Sequence, residues 1–224
     1  MSEVIPEKTY PSIQKNARTR VRPDEWISRA DANLLLHKRA QREVQQDNPT
    51  AAIEIFDRLI AYEPKNAINF ANRGLMHQHL KQYWQALKDY NQAIALNPKL
   101  DRVYSNRANL YAAEQNWLEA IDDYDRAIEL NPLNIRARLN QAITFRQLGR
   151  YEEALTGLDI ALFFRPESAT LHAEYGRTYQ LQGGWRQAIA SYNMARQLIQ
   201  KSTAPDLCDH EQVGCKILCW MISL

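Results

Sequence analysis

The sequence predicts an all-α fold, an α-solenoid in which helix-turn-helix units of one fixed length stack side by side. A 34-residue period is visible in the small, aromatic and proline positions, and the prolines that mark it are Pro64, Pro98, Pro132 and Pro166. Within each period the apolar residues follow the spacing of amphipathic helices. Glycine accounts for 7 of the 224 residues, which disfavours the many tight turns of a β-sandwich or barrel.

Each period divides into two predicted helices joined by a short turn. The second helices are expected over residues 84–96, 118–130, 152–164 and 186–199. The turns are expected at the residue pairs that begin with Asp47, Lys81, Gln115, Gly149 and Gly183. At the end of the unit, Asn97 and Asn131 each precede a proline, which disfavours the α region and ends the second helix. Small residues recur where two helices must approach closely, at Ala40, Gly74, Ala108, Ala142 and Gly176.

This pattern resembles the tetratricopeptide repeat, a helix-turn-helix unit with a 34-residue period. The resemblance covers about residues 33–202 and is closest in segments 104–111 and 119–132. It implies a right-handed α-solenoid of five repeats, over residues 33–66, 67–100, 101–134, 135–168 and 169–202. The end repeats depart from the pattern, with Glu43 at a position that is usually apolar and Gln200 where proline is usual. Atypical end units are common in solenoids, because one of their faces lacks a neighbouring repeat.

The N-terminal residues 1–23 differ in composition from the repeats. They contain Pro6, Pro11 and Pro23, and five basic residues lie between Lys8 and Arg22 without an acidic one. We expect a disordered basic arm, with contact to an acidic partner, a membrane surface or RNA as the alternative. Residues 24–202 are expected to form the repeat array, including an N-terminal helical extension that begins at residue 24.

The C-terminal residues 203–224 form a second compositional change. They are rich in apolar side chains and contain all three cysteines, Cys208, Cys215 and Cys219. We expect this segment to cap the last repeat or to form an apolar tail that contacts a partner or a membrane. Together with His210 the cysteines could make a metal site, but they lack the paired C-x2-C spacing of zinc sites. We therefore interpret them as small hydrophobic residues and expect no metal.

The sequence contains no recognisable catalytic or cofactor-binding motif. It lacks a glycine-rich phosphate-binding loop, a G-x-S-x-G nucleophile motif and an H-E-x-x-H zinc motif. The acidic cluster Asp122, Asp123 and Asp125 is more typical of a solvated helix face than of an acid–base pair. We therefore expect a protein that is not an enzyme and that needs no cofactor.

Net charge and cysteine usage narrow the class of protein further. The 28 basic residues nearly balance the 26 acidic ones, so binding of nucleic acid by bulk charge is not expected. The cysteine pattern favours a reducing compartment rather than a disulfide-stabilised secreted fold. No secretory signal and no apolar run of about 20 residues is recognisable, so we expect a soluble protein without a transmembrane segment, in the cytoplasm.

Asparagine recurs on the predicted first helices at Asn72, Asn106 and Asn140. The resemblance implies that these helices line a concave groove and that an asparagine at this position hydrogen-bonds the main chain of an extended peptide. An amide side chain suits that role because it offers both a donor and an acceptor. Shared ancestry of duplicated repeats is the alternative explanation for the recurrence. Glu174 interrupts the series in the fifth repeat.

Further groove residues are predicted on the same helices. Arg102 and Arg136 also recur with the period of the repeat, one turn before two of the asparagines, and would favour a carboxylate or phosphate on the ligand. Leu75 and Ile143 would add apolar contacts, and Asn109 a polar one. The pattern matches two of the five positions of the carboxylate clamp found in chaperone-binding family members, so we do not expect a chaperone C-terminus as the ligand.

Taken as a whole, the sequence predicts a non-catalytic protein-interaction module, such as an adaptor or assembly factor, whose partner is a protein or peptide with acidic character. Two alternatives remain open. One is binding of nucleic acid or another acidic surface through residues 1–23, and the other is a structural scaffold that self-associates through residues 203–224.

Overall fold

A computed structural model describes residues 29–201 of the chain, which form ten α-helices and no strand. The helices are α1 (Arg29–Gln45), α2 (Pro49–Tyr62), α3 (Ala67–His79), α4 (Tyr83–Leu96), α5 (Asp101–Ala113), α6 (Trp117–Leu130), α7 (Ile135–Gln147), α8 (Tyr151–Phe164), α9 (Ala169–Gln182) and α10 (Trp185–Lys201). The predicted all-α solenoid fold is therefore confirmed. The expected basic arm, the start of the helical extension and the cysteine-containing segment lie outside the described residues.

The ten helices form five successive pairs that pack in chain order. Each odd-numbered helix packs on the even-numbered helix that follows it, and each even-numbered helix packs on the next pair. Contacts also run from α3 to α5, from α5 to α7 and from α7 to α9, whereas no comparable contact joins successive even-numbered helices within the described part of the chain. The odd-numbered helices, which we call the first helices, therefore line the inner face of the stack.

The core contains fully buried alanines and, in three of the repeats, a buried tyrosine on the second helix. The rings of Tyr90 and Tyr192 have no exposed surface and lie on second helices. A Cβ atom added to Gly74 or Gly176 would lie 2.9 Å from the nearer of these rings. At Gly74 and Gly176 a small residue is therefore required, because a ring of the paired helix occupies the space beside it.

The turns between paired helices adopt the left-handed conformation at the same position of every repeat. The backbone φ angles are 55° at Asp47, 59° at Lys81, 63° at Gln115, 72° at Gly149 and 94° at Gly183. Only glycine adopts this region without a steric cost, which is about 1–2 kcal/mol for other residues. The first three turns therefore contain backbone strain that the last two avoid.

Replacing Gln115 by glycine should raise the free energy of unfolding by about 0.5–1 kcal/mol, because it relieves the left-handed strain and leaves the exposed turn otherwise intact. The matched control is Gly149→Ala, which should lower the free energy of unfolding by a similar amount. No atom lies within 4 Å of a Cβ added at Gly149, so backbone conformation alone would cause that loss. Urea denaturation followed by circular dichroism measures both changes, and equal signs for the two variants would contradict the interpretation.

Half-buried arginines on the first helices α3 and α5 each bond to both neighbouring second helices. Arg73 on α3 donates from Nε and NH2 to Asp89 on α4 at 2.8 and 2.6 Å, and from NH1 to Asp57 on α2 at 2.7 Å. In the next repeat, Arg107 makes the same two-bonded contact with Asp123, at 2.7 Å for both bonds. Bidentate arginine–carboxylate pairs have a defined geometry. These contacts therefore help to set the positions of α3 and α5 relative to their neighbouring helices.

Candidate functional site

The first helices surround an oblique groove with a volume of about 1090 Å³. Its lining runs from Leu75 and Gln78, near the end of α3, across the middle of α5 to the first residues of α7 and α9. The groove lies on the inner face because it is built from the first helices, which contact one another from repeat to repeat. Repeats two to five contribute to it.

Six of the eight residues predicted for a groove line this one: Leu75, Arg102, Asn106, Asn109, Arg136 and Asn140. The other two, Asn72 and Ile143, are half-buried and lie outside the lining. The oblique path of the groove accounts for both. On α3 the lining begins at Leu75, about one turn after Asn72. On α7 it ends at Asn140, about one turn before Ile143. The recurring positions of a repeat therefore share a helix face but do not all share the groove.

Three exposed arginines give the groove a basic character. Arg102 and Arg136 were predicted, and the third, Arg165, follows the end of α8. None of the three forms an ion pair with another residue in the described range 29–201. Sequence reasoning missed Arg165 because the corresponding residues in the preceding repeats, Asn97 and Asn131, simply end a helix before proline. The change from asparagine to arginine at this position of the fourth repeat could have indicated a further basic residue of the groove.

Among the described residues one carboxylate lines the groove, that of Asp101, and neighbouring side chains hydrogen-bond it. Its Oδ2 atom accepts from Nδ2 of Asn131 at 3.0 Å and from Nδ2 of Asn134 at 3.2 Å. Asn134 also caps α7, since its Oδ1 accepts from the backbone N–H of Ala137 at 3.0 Å. Asp101 keeps its negative charge, but the three arginines outnumber it, so the described lining of the groove is positively charged.

The amide side chains in the groove differ in how much of their hydrogen-bonding capacity is used. Oδ1 of Asn109 accepts from the hydroxyl of Tyr124 at 2.6 Å and from Nδ2 of Asn140 at 2.7 Å. Oε1 of Gln78 accepts from the hydroxyl of Tyr90 at 2.7 Å. Asn106 is half-buried and makes no hydrogen bond through its side chain to any residue that the structure describes. It therefore presents both a donor and an acceptor to the groove.

Beneath the groove, burial keeps the tyrosine hydroxyls protonated. Removal of Tyr90 and Tyr124 from water raises the pKa of each phenol well above its ordinary value, and the neighbouring carboxylates Asp89 and Asp123 raise it further. Both hydroxyls are therefore hydrogen-bond donors throughout the pH range in which the protein would be studied.

A buried ion pair replaces the asparagine in the fifth repeat. Glu174, which interrupts the asparagine series, accepts from NH1 of Arg146 at 2.7 Å. The arginine side chain is 6% exposed and the glutamate side chain 15%. NH1 also lies 3.4 Å from the hydroxyl of Thr178. This pair joins α7 to α9, and the interruption of the series therefore coincides with a structural contact between two repeats.

Comparisons with known proteins agree with this architecture. Family models described as tetratricopeptide repeat match residues 69–100, 102–134 and 123–156. No curated protein shows significant sequence similarity to the chain. The described residues contain no helix long and apolar enough to span a membrane, and no cluster of three or more histidine, cysteine or acidic side chains suited to a metal ion.

Solved structures of MamA share the fold. A crystal structure of MamA aligns with a TM-score of 0.66 at 16% identity, over 72% of this chain and 95% of that one. MamA from Desulfovibrio magneticus RS-1, residue 41 to the end, aligns with a TM-score of 0.71 at 14% identity, over 78% of this chain and 98% of that one. Identities this low establish similarity of fold alone.

Proposed function

We propose that the groove of this chain binds an extended segment of a partner protein. The chain contains tetratricopeptide repeats, which support a role as a protein–protein interaction module. The observation that carries the proposal is Asn106, whose amide lies in the groove with neither its donor nor its acceptor bonded to a described residue. A peptide main chain supplies the complementary C=O and N–H whatever its sequence. Asn109 and Asn140, which are hydrogen-bonded to each other, extend the polar surface of the groove.

The charges of the groove support a partner segment with acidic character. Arg102, Arg136 and Arg165 are exposed there, and the single carboxylate of the lining, Asp101, is bonded to two asparagines. Guanidinium groups bind carboxylates in bidentate geometry, which adds direction to the attraction. In this proposal the protein is a non-catalytic adaptor or assembly factor of the cytoplasm, and it acts by holding its partner.

Selection from a displayed library of random 12-residue peptides on the full chain tests this function. Peptides that bind the parent protein should bind the Asn106→Ala variant about tenfold more weakly. The variant loses a donor and an acceptor, each worth about 0.5–1.5 kcal/mol in a hydrogen bond, and about 1.4 kcal/mol corresponds to a factor of ten in affinity. Fluorescence anisotropy with the labelled selected peptides measures the change.

Asn193→Ala is the matched control for this experiment. Asn193 is also half-buried and makes no side-chain hydrogen bond to a described residue, but it lies on α10, outside the groove. Its replacement should leave peptide affinity unchanged. The proposal would be wrong if no binding peptide were recovered. It would also be wrong if the recovered peptides bound Asn106→Ala and Asn193→Ala with the same affinity as the parent protein, which would place the function outside the groove.

A further inference from the structure

Two buried tyrosines make hydrogen bonds with amides of the groove from below. Tyr90 and Tyr124 lie on the second helices α4 and α6 and are 0% and 2% exposed. Each hydroxyl contacts the amide oxygen of a groove residue, Gln78 at 2.7 Å and Asn109 at 2.6 Å. In both repeats a core residue is therefore hydrogen-bonded to an amide of the groove.

The orientation of Asn109 is determined by two donors at once. Its Oδ1 has two lone pairs, and the Tyr124 hydroxyl and Nδ2 of Asn140 occupy both. A flip of the amide that exchanged its oxygen and nitrogen would place the NH2 group against Nδ2 of Asn140, which can only donate, and would lose that hydrogen bond. The Tyr124 hydroxyl would then have to accept instead of donate. The NH2 group of Asn109 is thereby left for the groove. Gln78 receives one bond of this kind, from the hydroxyl of Tyr90.

We propose that Tyr90 and Tyr124 are positioning residues that present the NH2 groups of Gln78 and Asn109 to the groove, so that it selects partner segments rich in hydrogen-bond acceptors, above all aspartate and glutamate side chains. The inference rests on the proposed function, since it describes what the same groove prefers to bind. Carboxylates supply acceptor oxygens and no donor when ionised. Lysine and arginine side chains supply only donors and would face other donors here.

The arginines of the groove point to the same ligand chemistry. Arg102, Arg136 and Arg165 can only donate, and two asparagines already bond the acceptor oxygen of Asp101. The NH2 groups of Gln78 and Asn109 differ from the exposed arginines because they lie at half-buried positions, where their direction of donation is fixed. Long exposed arginine side chains attract an acidic segment, and the oriented amides decide where its carboxylates bind.

The fifth repeat provides a built-in control for the tyrosine–amide pair. Tyr192 is fully buried, and its hydroxyl contacts Oε1 of Gln180 at 2.8 Å, in the same geometry as the pair of Tyr90 and Gln78. Gln180 does not belong to the lining of the groove. Variants of this pair therefore reproduce the structural effect of losing the bond without changing the groove.

The substitution that isolates the proposed donor is Asn109→Asp, tested by library selection on the full-length variant. The carboxylate still accepts from Tyr124 and Asn140 but replaces the groove-facing NH2 group with an acceptor oxygen. Peptides selected on the parent protein should be enriched in aspartate and glutamate, and their affinity for Asn109→Asp should fall at least tenfold. The control Gln180→Glu makes the same change of charge beside Tyr192, and it should keep both the enrichment and the affinity.

A second pair of variants separates positioning from stability. Tyr124→Phe and Tyr192→Phe each remove one hydroxyl from a buried ring, so both should lower the urea midpoint to a similar extent. The preference is measured as the ratio of two affinities, that for a selected acidic peptide and that for the same peptide with glutamine and asparagine in place of glutamate and aspartate. Tyr124→Phe should reduce this ratio several-fold, whereas Tyr192→Phe should not. A purely structural tyrosine would lower the midpoint in both variants and leave the preference unchanged.

The outcomes distinguish this inference from the proposed function. If the parent protein selects no peptide whose binding depends on Asn106, the proposed function is wrong and the inference is wrong with it. If it selects such peptides without acidic enrichment, or if Asn109→Asp binds them as well as Gln180→Glu does, the groove binds peptides but the tyrosine–amide pairs do not set its preference.

Discussion

Replacing Glu174 by glutamine should lower the free energy of unfolding by about 3 kcal/mol, because the buried guanidinium of Arg146 loses its counter-charge. The arginine side chain is 6% exposed, so water cannot compensate for the loss. Glu174→Asn, which would continue the asparagine series into the fifth repeat, should be at least as destabilising for the same reason. Urea denaturation of the full chain, followed by circular dichroism, measures both losses.

An exposed pair on the outer face supplies the control. Arg126 and Glu129 form an ion pair within α6 whose side chains are 49% and 65% exposed. Glu129→Gln removes the same charge but should leave the free energy of unfolding nearly unchanged, since exposed ion pairs contribute little. In addition, the double replacement of Arg146 and Glu174 by methionine should recover most of the stability lost in Glu174→Gln. Similar small losses for Glu174→Gln and Glu129→Gln would show that the buried pair does not join the last two repeats.

Replacing Gly74 by alanine should lower the free energy of unfolding by about 2 kcal/mol through overpacking. The added Cβ would lie 2.9 Å from Cε1 of Tyr90 and 3.2 Å from Cβ of Asp89. Neither neighbour can move easily, because the tyrosine is fully buried and the aspartate is bonded to Arg73 through both oxygens. The steric cost therefore exceeds the gain in helix propensity from glycine to alanine, about 1 kcal/mol.

Gly157 provides the opposite case within the same chain. It lies inside α8, and a Cβ added there would be 3.8 Å from Cβ of Ala142, an ordinary contact distance. Gly157→Ala should therefore raise the free energy of unfolding by about 0.5–1 kcal/mol through helix propensity alone. Calorimetry or urea denaturation of the two variants should give shifts of opposite sign. A loss of stability in both would mean that close approach to Tyr90 is not what requires Gly74.

Much of the candidate site followed from the period. A residue that recurs once in every repeat occupies the same face of successive first helices, and this argument brought Arg102, Arg136, Asn106 and Asn140 together in the groove. It could not show that the groove runs obliquely, so Asn72 was predicted although the lining passes one turn beyond it. Arg165 was missed because it follows a second helix, whereas the argument considered the first helices.

The interior below the site was the least predictable part. The sequence shows tyrosine at a recurring core position, but it does not show that the hydroxyls of Tyr90 and Tyr124 reach the amides of Gln78 and Asn109. Each of those bonds joins residues 12 or 15 positions apart on two different helices. Their formation depends on the distance between the helices and on side-chain rotamers, and neither is encoded in periodicity.

Fold class, the paired helices, their turns and the small positions of the core could all be read from the order of residues along the chain. These features depend on local preferences that return in each repeat, namely helical spacing, proline at helix ends and the left-handed turn. Which polar side chains become partners depended instead on how the helices pack. Arg146 and Glu174, or Arg73 and Asp89, meet because packing brings two different helices within hydrogen-bonding distance of each other. A contact of about 3 Å between two helices depends on their mutual position.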